Sequence, residues 1–234
     1  TPNQEMLHKK IAVLEHTEDA LIFSSGMAAI SAALFGFLQK GDHIIVQQVI
    51  YGGTFNFMVN EFEKFGIEYS FTESDKIEDF IPLIRSNTKV MYIETPSNPL
   101  LGITDMKAIA DLSKQHQIIT MIDNTFASPI NQNPADFGID IVLHSATKYM
   151  GGHSDISAGA IAASKEHIAK IWKTAINYGG NLSDQTVWLL ERSMKTLNLR
   201  VKEQTKNAQI MAEYLEKNPN IDAVYYPGLP SHPQ

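Results

Sequence analysis

Apolar positions along the chain follow two alternating rhythms. Short runs rich in Val, Ile, Tyr and Phe at 43–47, 67–71, 89–94, 118–123 and 139–143 have the length and composition of strands, and "ALIF" at 20–23 reads as another. Between them, residues 27–38, 55–65, 77–85, 106–116 and 165–176 carry apolar side chains three and four apart, the spacing of helices with one buried face. This rhythm predicts an α/β fold in which a mostly parallel sheet is sandwiched by helices. From 183 to 217 the pattern runs helical with hardly a break, which suggests an arm leading out of the domain. No internal repeat or low-complexity linker interrupts the chain.

Composition narrows the classes. At 234 residues and 44% hydrophobic, the chain can bury a core large enough for one domain or a domain and a half. A net charge of −7 with no Lys/Arg-rich run argues against a nucleic-acid or anionic-lipid surface, so a small solute is the expected partner. The absence of cysteine excludes a disulfide framework and a thiolate zinc site within this sequence. No apolar run reaches the ~20 residues of a bilayer span, and a cytoplasmic enzyme is the expectation. The chain opens helical in pattern on "TPNQEMLHKKIAVLE", without an initiator methionine, and stops abruptly on "YYPGLPSHPQ"; both ends read as those of a fragment.

In open parallel sheets ligands collect at the carboxyl ends of strands, and here those ends are unusually polar. "ALIF" is followed by "SSGMAA", "VMYI" by "ETPSNP", "ITMI" by "DNT" and "DIVL" by "HSATK". "SSGMAA" suits the close approach of a phosphate to free N–H groups at a helix start, or serves only as an N-cap. Neither GxxxxGK[ST] nor GxGxxG occurs, which disfavours a nucleotide. In extended backbone Ser145 and Thr147 would point the same way and bind one anion, with Lys148 facing elsewhere. Burial of Lys148 would expose a nucleophilic amine able to form a Schiff base; the ordinary alternative is a solvated charge. Asp123 ends an apolar strand, where a carboxylate needs a cation such as a pyridinium nitrogen; an N-cap or salt bridge would serve equally.

An anion cradle, an acid for a ring nitrogen and an amine for an aldehyde together describe pyridoxal 5′-phosphate chemistry. The ordered series "SSGMAAISAAL", "YGGT", "ETPSNP", "DNTFASP", "HSATKYMGGHSD", "LSDQTVWLLERSMKTLNLR" and "YPGLPSHPQ" resembles, over nearly the whole chain, the Cys/Met-metabolism enzymes dependent on pyridoxal phosphate. The resemblance implies a fold-type I, aspartate aminotransferase-like large domain at 1–195 and a linking helix with the start of a smaller domain at 196–234. It further implies that Lys148 holds the cofactor as an internal aldimine and then moves protons on the substrate. Ser145, Thr147, Gly26 and Met27 would grip the phosphate, Asp123 and Thr125 would serve the ring, and Tyr51 would stack on it and assist the leaving group. Ser97 and Asn98 would lie near the ring oxygen and the substrate carboxylate. The resemblance also implies a homodimer that pairs into a homotetramer.

Departures from the family pattern bear on the substrate. Cystathionine-specific relatives tend to have arginine where this chain has Asn56, and a neutral side chain suits an uncharged γ-substituent, as in methionine or an O-acylated homoserine. Methionine γ-lyases tend to have cysteine at the position of Gly53. The reading is therefore γ-elimination on a sulfur amino acid, with γ-replacement in methionine biosynthesis as the alternative. Two other classes are open to the sequence: a fragment that binds cofactor without catalysis, and a zinc site of His144, His153 and Asp155. A glycine-rich turn does not suggest the convergent geometry a zinc site needs, so no metal is expected.

Overall fold

The computed structural model describes residues 1–232; Pro233 and Gln234, the last two positions of the expected 196–234 unit, lie outside the described residues. Seven strands, β1 (Asp19–Phe23), β2 (His43–Val46), β3 (Glu68–Phe71), β4 (Thr88–Glu94), β5 (Ile119–Asp123), β6 (Ile141–His144) and β7 (Gly159–Ala163), form one sheet. Its order is β1-β7-β6-β5-β4-β2-β3. The five strands from β6 to β3 run parallel, and β7 is antiparallel to both β6 and β1. The helices are α1 (Pro2–Leu14), α2 (Gly26–Phe37), α3 (Gly52–Glu61), α4 (Ile77–Phe80), α5 (Met106–Gln115), α6 (Ser128–Asn131), α7 (Lys165–Tyr178), α8 (Asp184–Met194) and α9 (Leu197–Glu216).

The sheet has a core on each face, as near-continuous apolar strands require. On one face Ile22, Ile45, Met91, Ile93, Ile122 and Val142 pack against Leu7 and Ile11 of α1, Ile109 of α5 and Val187 and Leu190 of α8. On the other, Phe23, Ile44, Tyr92, Met121 and Leu143 meet Ile30 and Leu34 of α2, Met58 of α3 and Ile171 of α7. The α/β sandwich expected from the apolar rhythm is therefore present.

Three expectations change in detail. The helix expected at 77–85 is one α-turn continued by a 3-10 turn, Ile81–Leu83, because Pro82 has no N–H to carry an α-helix onward. The helix expected at 55–65 starts earlier, at Gly52, and its last turn, Phe62–Phe65, is 3-10 before Gly66 at φ 65°. The unbroken helix expected at 183–217 is two, α8 and α9, parted at Lys195 and Thr196. Strand β7 was not expected: "GAIAA" lacks the β-branched signature, yet it is buried throughout. Its small side chains are what allow α2 to lie close, since a Cβ on Gly159 would sit 2.1 Å from the Ser25 carbonyl oxygen.

Candidate active site

At the carboxyl ends of β4, β5 and β6, beside the start of α2, the chain encloses a cavity of about 800 Å³. Ser25 caps α2, its Oγ accepting the Ala28 N–H at 3.1 Å. Gly26 and Met27 then carry first-turn N–H groups with no carbonyl of their own helix to bond, at the positive end of the helix dipole. Both residues line the cavity. A Cβ on Gly26 would lie 2.9 Å from the Ser145 Cβ, so glycine is what lets α2 meet the loop after β6.

That loop is not extended. Strand β6 ends at His144, and residues 145–152 coil back: the Lys148 N–H donates to Ser145 O at 3.1 Å, Gly151 N–H to Ala146 O at 2.8 Å and Gly152 N–H to Lys148 O at 2.6 Å. The extended alternation expected of Ser145 and Thr147 is replaced by a turn, and Lys148 lines the same cavity as the two hydroxyls instead of facing away. Thr147 Oγ1 donates to Ala158 O at 3.1 Å and accepts the Ala158 N–H at 3.0 Å, so its hydrogen is committed to the lead-in of β7. The Ser145 N–H donates to Thr125 Oγ1 at 2.7 Å, which leaves the Ser145 hydroxyl as the freer donor. Arg200 of α9 clamps the far end of the loop. Its guanidinium donates to Tyr149 O at 2.8 Å and Ser193 O at 3.1 Å, over Gly152 at φ 74°, where a Cβ would collide with it.

Two carboxyls end neighbouring strands in register, Glu94 on β4 and Asp123 on β5, and parallel register sets them on one face. Both are buried and both line the cavity. Burial pushes the Asp123 carboxyl above its usual range, opposed by the hydroxyl and N–H of Thr125, the latter at 3.0 Å, and by the charge of His144. Burial, and then the charge of Asp123, push Glu94 up to about 8 against the N–H groups of Tyr51 and Asn98. Neither acid takes part in a salt bridge among the described residues.

Of the other expected residues, Tyr51 and Asn98 line the cavity, Tyr51 with its ring 49% exposed over Gly53. Ser97 is buried behind the wall, its N–H donating to Gly102 O at 3.0 Å, and does not line it. Asn56 sits exposed on α3, outside the lining. His144, His153 and Asp155 are not brought together: His144 Nε2 meets Glu15 Oε1 at 2.5 Å in the core, His153 Nδ1 meets Gly151 O at 2.7 Å, and Asp155 borders a separate depression. Glu94 was noted only as an acid in "ETPSNP". Its place beside Asp123 depends on strand register, which the local pattern does not carry. Phe126, Tyr149 and Gln204 also contribute to the wall and were not expected.

The donor set fits pyridoxal phosphate. A helix N-terminus and a serine hydroxyl suit a phosphate, a primary amine suits an aldehyde, and a buried carboxyl that forms no salt bridge among the described residues suits a protonated ring nitrogen.

The model of the Cys/Met metabolism PLP-dependent enzyme family matches residues 1–234. Among similar proteins, the cystathionine beta-lyase MetC of Bacillus subtilis (strain 168) is 45% identical over 100% of this chain and 60% of its own length. The L-methionine gamma-lyase of Porphyromonas gingivalis is 40% identical over 100% of this chain and 59% of its own. The crystal structure of metB from Corynebacterium glutamicum superposes with a TM-score of 0.96 at 37% identity, covering 100% of this chain and 61% of that one. The chain thus spans about 60% of the length of these relatives.

Proposed function

The chain belongs to the Cys/Met metabolism PLP-dependent enzyme family, and on that premise we propose that it is a carbon–sulfur lyase that eliminates the γ-substituent of a sulfur amino acid. The observation that carries this reading is the convergence of the Lys148 amine, the Asp123 carboxyl and the N-terminus of α2 on one cavity. Gly26, Met27 and Ser145 bind the phosphate, and Lys148 supplies the amine to which the aldehyde attaches. Asp123 holds the proton on the ring nitrogen. So bound, the cofactor supplies an electron sink for the pair left when a substrate proton is removed. Lys148 takes the proton from the substrate α-carbon and carries protons between neighbouring carbons. Tyr51, at the mouth, stacks over the ring and protonates the departing sulfur, while Asn98 orients the ring oxygen and, with Ser97 behind it, the loop that receives the substrate carboxylate. Asn56 contributes a neutral rim on the approach, and the substrate is a thioether amino acid, an O-acylated homoserine belonging to the γ-replacement alternative.

Residues 1–195 act as the cofactor-binding unit, with α9 as an arm leading from it. Assembly is as a homodimer that pairs into a homotetramer; the exposed Trp172, Ile176 and Tyr178 along α7 support association.

A second reading, β-elimination, is favoured by the 45% identical relative that bears the name of a cystathionine beta-lyase. Replacement at the γ-carbon shares every step up to loss of the substituent. One assay separates the three. With cystathionine, γ-elimination yields 2-oxobutyrate, cysteine and ammonia, β-elimination yields pyruvate, homocysteine and ammonia, and replacement requires an added thiol. The enzyme is expected to release 2-oxobutyrate from methionine as well as from cystathionine, with methionine the better substrate, and to lose both the visible cofactor band and all turnover in Lys148→Ala. Pyruvate alone would overturn the γ-assignment, and a band unchanged in Lys148→Ala would overturn the site.

A further inference from the structure

Glu94 has no part in the chemistry described above, yet it is anchored through both its backbone and its side chain. Its backbone is fixed to Gln47, whose Nε2 donates to Glu94 O at 2.9 Å and whose Oε1 accepts the Glu94 N–H at 3.2 Å. Its carboxyl group is shared between two separate segments. Oε2 accepts the N–H of Tyr51, the residue that opens α3, at 2.6 Å, and Oε1 accepts the N–H of Asn98, in the loop after β4, at 3.0 Å. Those two residues are the ones that reach into the cavity from these segments. Tyr51 is half exposed and its hydroxyl makes no hydrogen bond among the described residues, so the position of its ring depends on the backbone beneath it.

We propose that Glu94 is a positioning residue that sets the gap between Tyr51 and Asn98, one carboxyl oxygen holding the backbone of each. The inference rests on the reading that this cavity holds pyridoxal phosphate. A carboxyl group is the right device because it offers two acceptors on a rigid plane at the end of a strand. Glutamine offers one acceptor and presents its NH₂ to the second N–H, donor against donor. Aspartate keeps both acceptors but is a methylene too short to span the two segments. Misplacement of an aromatic ring by about 1 Å is enough to cost on the order of 10²-fold in rate.

The test uses the whole protein loaded with pyridoxal phosphate and reads visible absorption, visible circular dichroism and steady-state kinetics for Glu94→Gln and Glu94→Asp, each alone and with Tyr51→Ala. Both variants are expected to keep the cofactor absorption band, to change its circular dichroism at least about twofold, and to lose roughly 10- to 100-fold in kcat/KM. In the Tyr51→Ala background that loss is expected to shrink to about threefold or less, because the group being positioned is gone. Glu94→Asp carries the test alone if Glu94→Gln does not fold. Unchanged dichroism with kinetics within about threefold of wild type would overturn the proposal, as would a loss of equal size with and without the Tyr51 ring. Absence of any visible band in the wild-type protein would instead remove the cofactor reading, and this inference with it.

Discussion

A buried acid whose proton is held too tightly leaves a trace in stability, and Glu94 provides it. Burial and the neighbouring Asp123 raise its carboxyl from 4.5 to about 8. The folded chain therefore binds this proton more tightly than the unfolded chain does, and stability must fall as pH rises between those values. Below about 4.5 both states are protonated and the group contributes nothing; above about 8 the full penalty of the buried charge is present. Asp123, raised in the same direction, adds to the trend. In protein without added cofactor, the melting temperature is expected to decline from pH 5 toward pH 8, and the decline to be shallower in Glu94→Gln. Parallel melting curves for the two proteins across that range would show that Glu94 does not carry the penalty. Both acids stand at strand ends in the sequence, in "ETPSNP" and "DNT", but the family resemblance implies a role only for Asp123. The like-charge pairing follows from the Glu94–Asp123 register, which joins residues 29 positions apart.

At the scale of elements, the loop carrying Lys148 is held from two sides that the local pattern treats differently. From below, β6 ends at His144 and the chain turns at once, which the run "IVLHSATK" shows as a change from apolar to polar. From above, Arg200 reaches from α9 to Tyr149 O and Ser193 O, a contact spanning 51 positions that no periodicity announces. Arg200→Ala removes two charge-assisted bonds to carbonyls and is expected to destabilise the fold by about 2 kcal/mol and to loosen residues 148–152. The signature is a cofactor dissociation constant raised about tenfold with the Lys148 band retained, since only the loop's freedom has changed. A dissociation constant equal to that of wild type would mean that the loop is shaped by its internal turn bonds alone. The same contrast explains the rest of the fold. The parallel strands were legible because apolar, β-branched runs must be buried on both faces. Strand β7 was not, because its alanines and glycine were chosen for the close approach of α2, and small residues carry no strand signal.

Across the whole molecule, His144 answers a question that the strand end "IVLH" poses: why an apolar strand should finish on an imidazole. It points to the face opposite Asp123, where Nε2 meets Glu15 Oε1 at 2.5 Å just past the end of α1. The Asn124 side chain donates to the same carboxylate at 3.1 Å and to Gln132 O at 3.0 Å, and Gln132 in turn donates to Thr95 O at 2.8 Å. This buried chain ties α1 to β5, β6 and the loop after β4, so the segment farthest away in sequence braces the floor of the site from behind. Removing one partner of a buried hydrogen-bonded pair leaves the other unsatisfied, which costs about 1–3 kcal/mol. Glu15→Ala is therefore expected to lower the melting temperature by roughly 6 °C, at about 2–4 °C per kcal/mol for a chain of this size. Glu15→Gln, which keeps one acceptor oxygen, should lose less. Because Asn124 follows Asp123 and His144 precedes Ser145, Glu15→Ala is also expected to weaken cofactor binding, although Glu15 lies outside the cavity lining. A thermal melt within about 2 °C of wild type would show that α1 is held by its other contacts, such as Leu7, Ile11 and the Lys10–Glu191 pair, and that the network does not brace the site.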